Sequence, residues 1–404
     1  MMTARAFSLA HCEDVTWFRD GFHAARGSAA TLGRRIGLGE QRTAQLVLAV
    51  AELAANLTKH ATDGALLLRV LRHLPEPGAD VVAGVEVIAV DSGPGMADVP
   101  AALRDGMSTT GTLGIGLGAV RRLADTFDVH SRPGTGTIQL ARFWPHPAPS
   151  AASSEPPVGG ITRPISGEQT CGDAWAARTD SGSDTPAAAP SSEGPADPQP
   201  AAAASPNWSA MTGVRKAQPP AALRPGTSAP VHAAVPGPGE GLLVMSCDGL
   251  GHGPLAALAA QAAVNALRTG TGRTPEQVMQ EVHRALRGTR GAAVAIARLE
   301  PGGRVLFCGT GNITATLLTP TSRASLLSHP GIAGHTTHRL RTHEYRMPDQ
   351  GMLVMHSDGL SDRWSAADLA GLLHHPPAVI ATGLLRQAAT RRDDASVVIA
   401  KAAR

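Results

Sequence analysis

The sequence predicts a two-domain chain of the α/β (α+β) class. Three observations carry that reading. Residues 43–61 form a long helical pattern with one apolar stripe; short apolar runs repeatedly end on a carboxylate followed by glycines; and two tracts rich in Pro, Ala and Ser interrupt the pattern. A chain of 404 residues exceeds one ordinary domain, and each half is long enough to bury its own core. Aromatic residues make up only 3% of the chain, so those cores rest on Leu, Val, Ile and Ala.

In the helical pattern, Leu46, Val47, Val50, Leu53, Ala54 and Leu57 recur at helical spacing. Glu52, Asn56 and His60 stand at i, i+4 and i+8, so they share the opposite face. A strand is expected at 65–71 and a turn at 75–78. The apolar run 85–90 then enters Asp91-Ser92-Gly93-Pro94-Gly95. Next comes a glycine-rich stretch containing Gly111, Gly114, Gly116 and Gly118, a helix expected over 119–127, a further strand, and Gly134-Thr135-Gly136-Thr137. Glycines that let backbone N–H groups approach phosphates just before a helix N-terminus make an anion cradle. The chain has no G-x-x-x-x-G-K-[ST], which excludes a P-loop. Gly114-x-Gly116-x-x-Ala119 does match the short dinucleotide pattern. It follows the polar run Ser108-Thr109-Thr110-Gly111 instead of a strand, and so lacks the context of a Rossmann turn.

Residues 146–160 read as a flexible linker between a first domain at 1–145 and a second at 161–404. A further Ala/Pro/Ser-rich tract, at about 181–238, is expected to be a disordered insertion within the second domain, because it has too little apolar content to bury. Lengthening a loop from about six to about sixty residues costs only about 2 kcal/mol, so the fold tolerates it. Both a docking arm and a passive insertion fit that composition.

In the second domain, the run Leu242-Leu243-Val244-Met245 leads into Cys247-Asp248-Gly249-Leu250-Gly251-His252-Gly253, placing Asp248 at the tip of a buried strand. A carboxylate there, with glycines admitting backbone carbonyls, suits a hard divalent cation. The run 352–356 leads likewise into Ser357-Asp358-Gly359-Leu360. Asp173 stands in Cys171-Gly172-Asp173-Ala174-Trp175, and Asp393 with Asp394 precedes the apolar run 395–400.

The net charge of +3, with no Lys/Arg run and no interleaved aromatics, argues against nucleic acid. Cys12, Cys171, Cys247 and Cys308 form no C-x-x-C pair and fit reduced thiols better than disulfides or a zinc site. No signal peptide and no long uncharged apolar run is visible, so a cytoplasmic protein is expected.

The order Gly-Asp, Asp-Gly-x-Gly-His-Gly, Ser-Asp-Gly-Leu, Asp-Asp-x-Ser resembles the PPM-type serine/threonine phosphatases, specifically their bacterial SpoIIE-like branch. Gly309-Thr310-Gly311-Asn312-Ile313 is similar to a glycine-rich hairpin of the switch-phosphatase subgroup. The resemblance implies an α-β-β-α sandwich holding two Mn²⁺ or Mg²⁺ ions. Asp248 would bridge them, with the Gly249 carbonyl beside it and Asp173, Asp358 and Asp393 completing the shell. Asp393 is favoured over Asp394 because the first Asp of that element is the family's ligand. For His252 two readings stand, proton donor to the leaving oxygen or turn stabiliser, since its register departs from relatives whose histidine directly follows Asp-Gly.

Glu52 with Asn56, Asp91-x-Gly93-x-Gly95, the glycine stretch and Gly136-Thr137 resemble the GHKL ATPases, and among them the anti-sigma-factor and switch-protein serine kinases. The fold implied is an α/β sandwich with helices on one face of a mixed sheet. Asn56 would help hold Mg²⁺ at the ATP phosphates, Asp91 would accept from the adenine amino group, and Thr137 would support the base. Gly114, Gly116 and Gly118 would close over the phosphates, and Glu52 would act as base toward a substrate hydroxyl. His60 lies on the same face, where a neighbour-satisfied histidine is the simpler account.

Together the two resemblances imply a bacterial regulator acting on a phosphoserine or phosphothreonine of a STAS-type anti-sigma antagonist. Two alternatives also stand: a first domain that sequesters a sigma factor with ATP as a structural ligand, and a phosphatase whose first domain only senses ATP.

Overall fold

The computed structural model describes residues 9–74, 81–104, 116–146, 155–179, 241–335, 340–390 and 392–401. The first half contains β1 (Leu9–Phe18), α1 (His23–Arg35), α2 (Glu40–His60), β2 (Ala65–Leu74), β3 (Val82–Val90), α3 (Val99–Ala102), α4 (Gly116–Leu123), β4 (Thr126–Arg132) and β5 (Gly136–Phe143). Its sheet has the order β1-β2-β3-β5-β4. Every pairing in it is antiparallel, where the sequence analysis expects a mixed sheet. The helix expected at 119–127 lies earlier, because Phe127 already pairs with Ala141 in the sheet.

Strict alternation along these strands gives the sheet two buried faces. Leu66, Leu68, Val70, Val85 and Val87 point toward the stripe Leu46, Val50, Leu53 and Leu57 of α2 and toward Ala25, Ala29 and Leu32 of α1. The intervening residues Leu67, Ile88, Ile138 and Leu140 point the other way, into a core shared with the second half.

The second half contains β6 (Val158–Arg163), β7 (Asp173–Thr179), β8 (Leu242–Gly249), α5 (Pro254–Thr269), α6 (Pro275–Ala285), β9 (Ala292–Leu299), β10 (Arg304–Thr310), β11 (Thr314–Leu318), β12 (Arg323–Ser325), β13 (Ser328–His329), β14 (His343–Arg346), β15 (Met352–His356), α7 (Ala366–Leu369), α8 (Pro377–Ala388) and β16 (Ala395–Lys401). One sheet runs β13-β10-β9-β8-β7, with β14 also on β10, and the other β12-β11-β15-β16-β6. Their inner faces meet through Val244, Ala295, Phe307, Leu353, Met355 and Val398. Helices α5 and α6 cover the outer face of the first sheet through Ala259, Ala263, Leu267, Val278 and Val282. The tight start of α6 is a capping box, Thr274 with Gln277, and Pro275 follows at the position where a missing N–H costs nothing.

The expected linker at 146–160 ends earlier than its composition suggests. Val158, Gly159 and Gly160 already pair with Ala400, Ile399 and Val398 of β16. The Ala/Pro/Ser-rich insertion at about 181–238 lies outside the described residues.

Helix α8 covers the outer face of the second sheet on one side and the free face of the N-terminal sheet on the other. Pro377 to Leu385 are buried without a break, so this stretch of the helix has no exposed face. A helix apolar all round belongs between two layers. The N-terminal half is therefore docked as a further layer on the sandwich.

At that interface sits a buried ionic row. Arg69, Glu86 and Arg142 are direct cross-strand neighbours on β2, β3 and β5. Arg69 Nε donates to Glu86 Oε1 at 2.8 Å, and Arg142 Nε donates to Oε2 at 2.7 Å. Arg69 Nη1 continues to the Gly160 carbonyl at 2.6 Å, which ties the row to β6. Burial pushes the Glu86 carboxyl up, but the two guanidiniums outweigh it and hold the group below its ordinary value.

Removing that charge strands the buried Arg69 cation and leaves Arg142 only Glu155, which it reaches at 2.7 Å. Glu86→Gln is expected to destabilise the chain by about 3–5 kcal/mol in urea unfolding. Glu86→Gln combined with Arg69→Met should recover part of the loss, because the pair is then replaced instead of broken.

Candidate functional sites in the two halves

The N-terminal site is built where β3 ends and β5 begins. The Asp91 N–H donates to the Thr137 carbonyl at 2.9 Å, and the Thr137 N–H returns to the Asp91 carbonyl at 3.3 Å. This ladder fixes the two residues side by side. Asp91 Oδ1 accepts from the Gly93 N–H at 2.7 Å, and partial burial raises the carboxyl above its ordinary value despite that bond. Gly136 has φ +88°, and a Cβ there would overlap the Asp91 carbonyl oxygen, so only glycine allows this approach. Gly95 also has a positive φ, +68°. Thr137 Oγ1 shares a 2.9 Å hydrogen bond with Ser131 Oγ.

Glu52 and Asn56 are half-buried on α2, and His60 is exposed at its end. The His60 carbonyl lies against Gly93, which places the end of α2 over the Asp91 turn. Gly116 begins α4 with φ +74°, and Gly118 is buried within it. Gly114 lies outside the described residues. A half-buried carboxylate flanked by a glycine turn, below a helix carrying a carboxylate and an amide, fits a purine amino group and a magnesium-bound phosphate chain.

Sequence reasoning missed one contact here. Arg386 Nη1, from α8, donates to the Asp91 carbonyl at 2.9 Å. It lies 295 positions away and follows no motif, so only the docking of the halves reveals it.

The second site follows from the pairing of β7 with β8. Asp173 and Asp248 are cross-strand partners, so their carboxylates leave neighbouring strands side by side. Asp358, in the turn after β15, accepts from Asn312 Nδ2 at 2.7 Å. Gly359 is packed so closely on the Asp394 carbonyl that a Cβ would overlap it, which draws the Asp358 turn onto the Asp393 turn. Asp394 is buried and fully engaged, accepting from the Ile165 N–H and the Gly172 N–H, both at 2.7 Å. It holds the chain that leads into Asp173, while Asp393 is left half-buried beside it. The Gly249 N–H donates to the Gly172 carbonyl at 3.0 Å, which closes the base of the group.

These carboxylates raise one another. Burial, then the charges of Asp358 and Asp393, push Asp248 up to about 7. Burial and the charge of Asp248 push Asp173 well above its ordinary value, and burial with Asp393 raises Asp358. Asp173 Oδ2 is buried with no hydrogen-bond partner among the described residues. The Ser357 and Ser396 hydroxyls lie near enough to ease its charge; Ser396 is the serine of the Asp-Asp-x-Ser element. An unpartnered buried carboxylate oxygen within a set of mutually repelling carboxylates fits hard divalent cations. Among the described residues, no three His, Cys, Asp or Glu side chains already converge on one ion position, and the Asp358 carboxylate is turned to Asn312.

His252 is exposed, with Nδ1 3.4 Å from Glu168 Oε1. Glu168 and Asn312 are further residues that the motif reading passed over, the latter although it stands in the quoted hairpin. Burial drives the Cys171 and Cys247 thiols well above their ordinary values, which argues against a thiolate nucleophile at either.

Comparison with known proteins agrees with both halves. The family described as "Histidine kinase-like ATPase domain" matches residues 20–142, and "Stage II sporulation protein E (SpoIIE)" matches residues 238–403. The serine/threonine-protein kinase RsbT of Bacillus subtilis (strain 168) is 35% identical over 126 residues, 30% of this chain and 86% of RsbT. Among solved structures, RsbX in complex with magnesium is 16% identical with a TM-score of 0.41, covering 61% of this chain and 94% of RsbX. The PP2C phosphatase domain with a fragment of the regulatory domain of SpoIIE from Bacillus subtilis is 10% identical with a TM-score of 0.40, covering 94% of each chain. No helix among the described residues is long and apolar enough to cross a membrane. Through its first half the chain belongs to the histidine kinase-like ATPases of the RsbT kind, and its second half is a SpoIIE-family, PPM-type phosphatase domain.

Proposed function

We propose that the two halves act in opposition on one phosphorylated hydroxyl, a serine or threonine of a STAS-type anti-sigma antagonist. The observation that carries the hydrolytic half is the pairing of Asp173 with Asp248, with Asp358 and Asp393 at adjoining turns. Two manganese or magnesium ions, when bound, would neutralise the carboxylates and supply an acidified water in line with the phosphorus. Asp248 would stand between the ions with the Gly249 carbonyl, and Asp173, Asp358 and Asp393 would hold them from the sides. Asn312 would release Asp358 or orient it.

His252, exposed and next to Glu168, is assigned to shaping the turn or to donating a proton at the mouth of the site. In the N-terminal half, Asp91 would accept from the adenine amino group with Thr137 beside it, and Asn56 would hold the magnesium of ATP. Gly93 and Gly95 would shape the base pocket, and Gly114, Gly116 and Gly118 would cradle the phosphates. Glu52 would orient and deprotonate the incoming hydroxyl, a division of labour suited to phosphoryl transfer, which depends on positioning and charge neutralisation.

A second reading is favoured by the Arg386 bond to the Asp91 carbonyl, which joins the nucleotide half to the helix leading into Asp393. In it, ATP is sensed without transfer. ATP would then change the rate of dephosphorylation while no ADP forms. A sequestering half would instead bind a sigma factor without phosphorylating anything.

Phosphosite mapping on the antagonist separates the activities. Asp248→Asn should slow dephosphorylation at least about a hundredfold, since removing even one transition-state donor has that effect. Glu52→Ala should leave the antagonist unphosphorylated with hydrolysis intact. Dephosphorylation by Asp248→Asn at the wild-type rate would remove the assignment.

The carboxylate group also predicts a pH signature in the chelator-treated protein. Asp248 is raised from 3.8 to about 7, so between those values the folded chain holds a proton that the unfolded chain has released. Stability is therefore greatest below this window and falls as pH rises through it. Melting temperature should decline across the window, and manganese should restore it most strongly above the upper limit. Asp248→Asn should flatten both effects.

A further inference from the structure

Between the two halves lies a cavity of about 820 Å³ that adjoins the Asp91 turn through Arg386 but contains none of the carboxylates of either site's motifs. Its walls come from the β1–α1 connection, the end of α2, the end of β6 and one side of α8. Three guanidiniums line it, those of Arg19, Arg163 and Arg386, one from each of three separate segments. Two carboxylates, Asp20 and Asp63, share the walls, so cations outnumber anions.

The arginines differ in their engagement. Arg19 Nη2 donates to the Pro164 carbonyl at 3.0 Å, and Arg386 Nη1 to the Asp91 carbonyl at 2.9 Å. Arg163 Nη2 is buried with no hydrogen-bond partner among the described residues. Burial and the neighbouring Arg19 charge disfavour the Arg163 cation, and burial disfavours that of Arg386. A buried guanidinium N–H without an acceptor is costly, and an acceptor supplied by a ligand in the cavity would relieve that cost.

We propose that this cavity is a binding site for a phosphate-bearing small molecule, with the Arg163 guanidinium as its principal donor and Arg19 and Arg386 as its flanking cations. The volume lies within the range of small-molecule sites, about 300–1,000 Å³. The planar forks of arginine match phosphate oxygens in pairs, and the net excess of one guanidinium favours an anionic group over a neutral one. Trp17 and Phe22 add aromatic surface to the same wall, enough to bear on the organic part of a phosphate monoester. Arg163, the principal donor, belongs to neither carboxylate group nor nucleotide pocket, while Arg386 is shared with the Asp91 turn.

Two phosphate sources share this chemistry, inorganic phosphate released in solution and a nucleotide monophosphate. Uridine monophosphate represents the second without the adenine that the Asp91 pocket is read to accept. The test is calorimetric titration of the full chain with each probe, in chelator so that no cation holds phosphate at the carboxylates. Wild type should bind at least one of the two in or below the millimolar range, and Arg163→Gln should weaken that binding at least tenfold, the loss of a charged hydrogen bond. Arg163→Lys should retain an intermediate affinity. Tighter binding of uridine monophosphate would identify the monoester as the ligand, and equal binding would identify the free anion.

Should Arg163→Gln fold poorly, the wild-type chain provides a second measurement. The same probe should protect the peptide containing Arg163 from phenylglyoxal, read by mass spectrometry. Affinity unchanged in Arg163→Gln, absence of binding by both probes, or unprotected modification of Arg163 would each overturn the proposal.

Discussion

From Pro377 to Leu385 helix α8 is buried on every side, and the rest of the molecule follows from that. Its residues pack on β16 and β6 in one direction and on the Ile138 and Leu140 face of the N-terminal sheet in the other. Either half alone would present a broad apolar face, so each completes the other's burial. The Arg69–Glu86–Arg142 row adds direction to an otherwise greasy contact. Arg69 finds an acceptor for its Nη1 group when the Gly160 carbonyl arrives, and that requirement favours one docking pose. Trp17 Nε1 donating to the Thr162 carbonyl and the Asp128–His375 pair, both at 2.7–2.8 Å, pin the periphery of the same surface.

The last turn of the same helix touches both candidate sites. Arg386 holds the carbonyl of Asp91, and within a few residues Ala388 and Thr390 are bonded to Ser361 and Gly359 beside Asp358. The strand that begins just past Asp393 follows directly. That last turn is packed and hydrogen-bonded on both sides, so a displacement of Arg386 bears directly on the Ala388 and Thr390 bonds. The fold thus joins a phosphorylating kind of domain and a hydrolysing kind of domain by a shared structural member, where a flexible tether would have kept them apart.

What the sequence disclosed depended on whether a signal was periodic or local. The stripe Leu46, Val50, Leu53, Leu57 announced α2, and the strand-end aspartates announced themselves by adjacent glycines. Both are written within a few residues. Helix α8 carries no stripe because both sides are buried, and a signal without contrast has no period. Composition extended the linker too far, since Gly159 and Gly160 look like hinge residues yet serve as strand residues. A Cβ on Gly160 would run into Trp175 and the Val397 carbonyl, so the glycine answers close packing, not freedom. Asn312 to Asp358, Arg386 to Asp91, and the two amides on Asp394 join segments distant in the chain, and no spacing rule could pair them. The parallel or antiparallel sense of the first sheet is likewise a property of the path between strands.

The β7–β8 hairpin bears on how this protein can change over time. Asp173 pairs with Asp248 at one end of the ladder, and Thr179 pairs with Leu242 at the other. Six residue steps separate the ends, about 20 Å of extended chain. The Ala/Pro/Ser-rich segment enters and leaves at the Thr179 end, as far from the carboxylates as the hairpin allows. Lineages are therefore free to lengthen, shorten or rewrite that segment while the registration of the two aspartates is held by the strand bonds alone. Tolerance of length and the demand for fixed geometry fall at opposite ends of a single pair of strands.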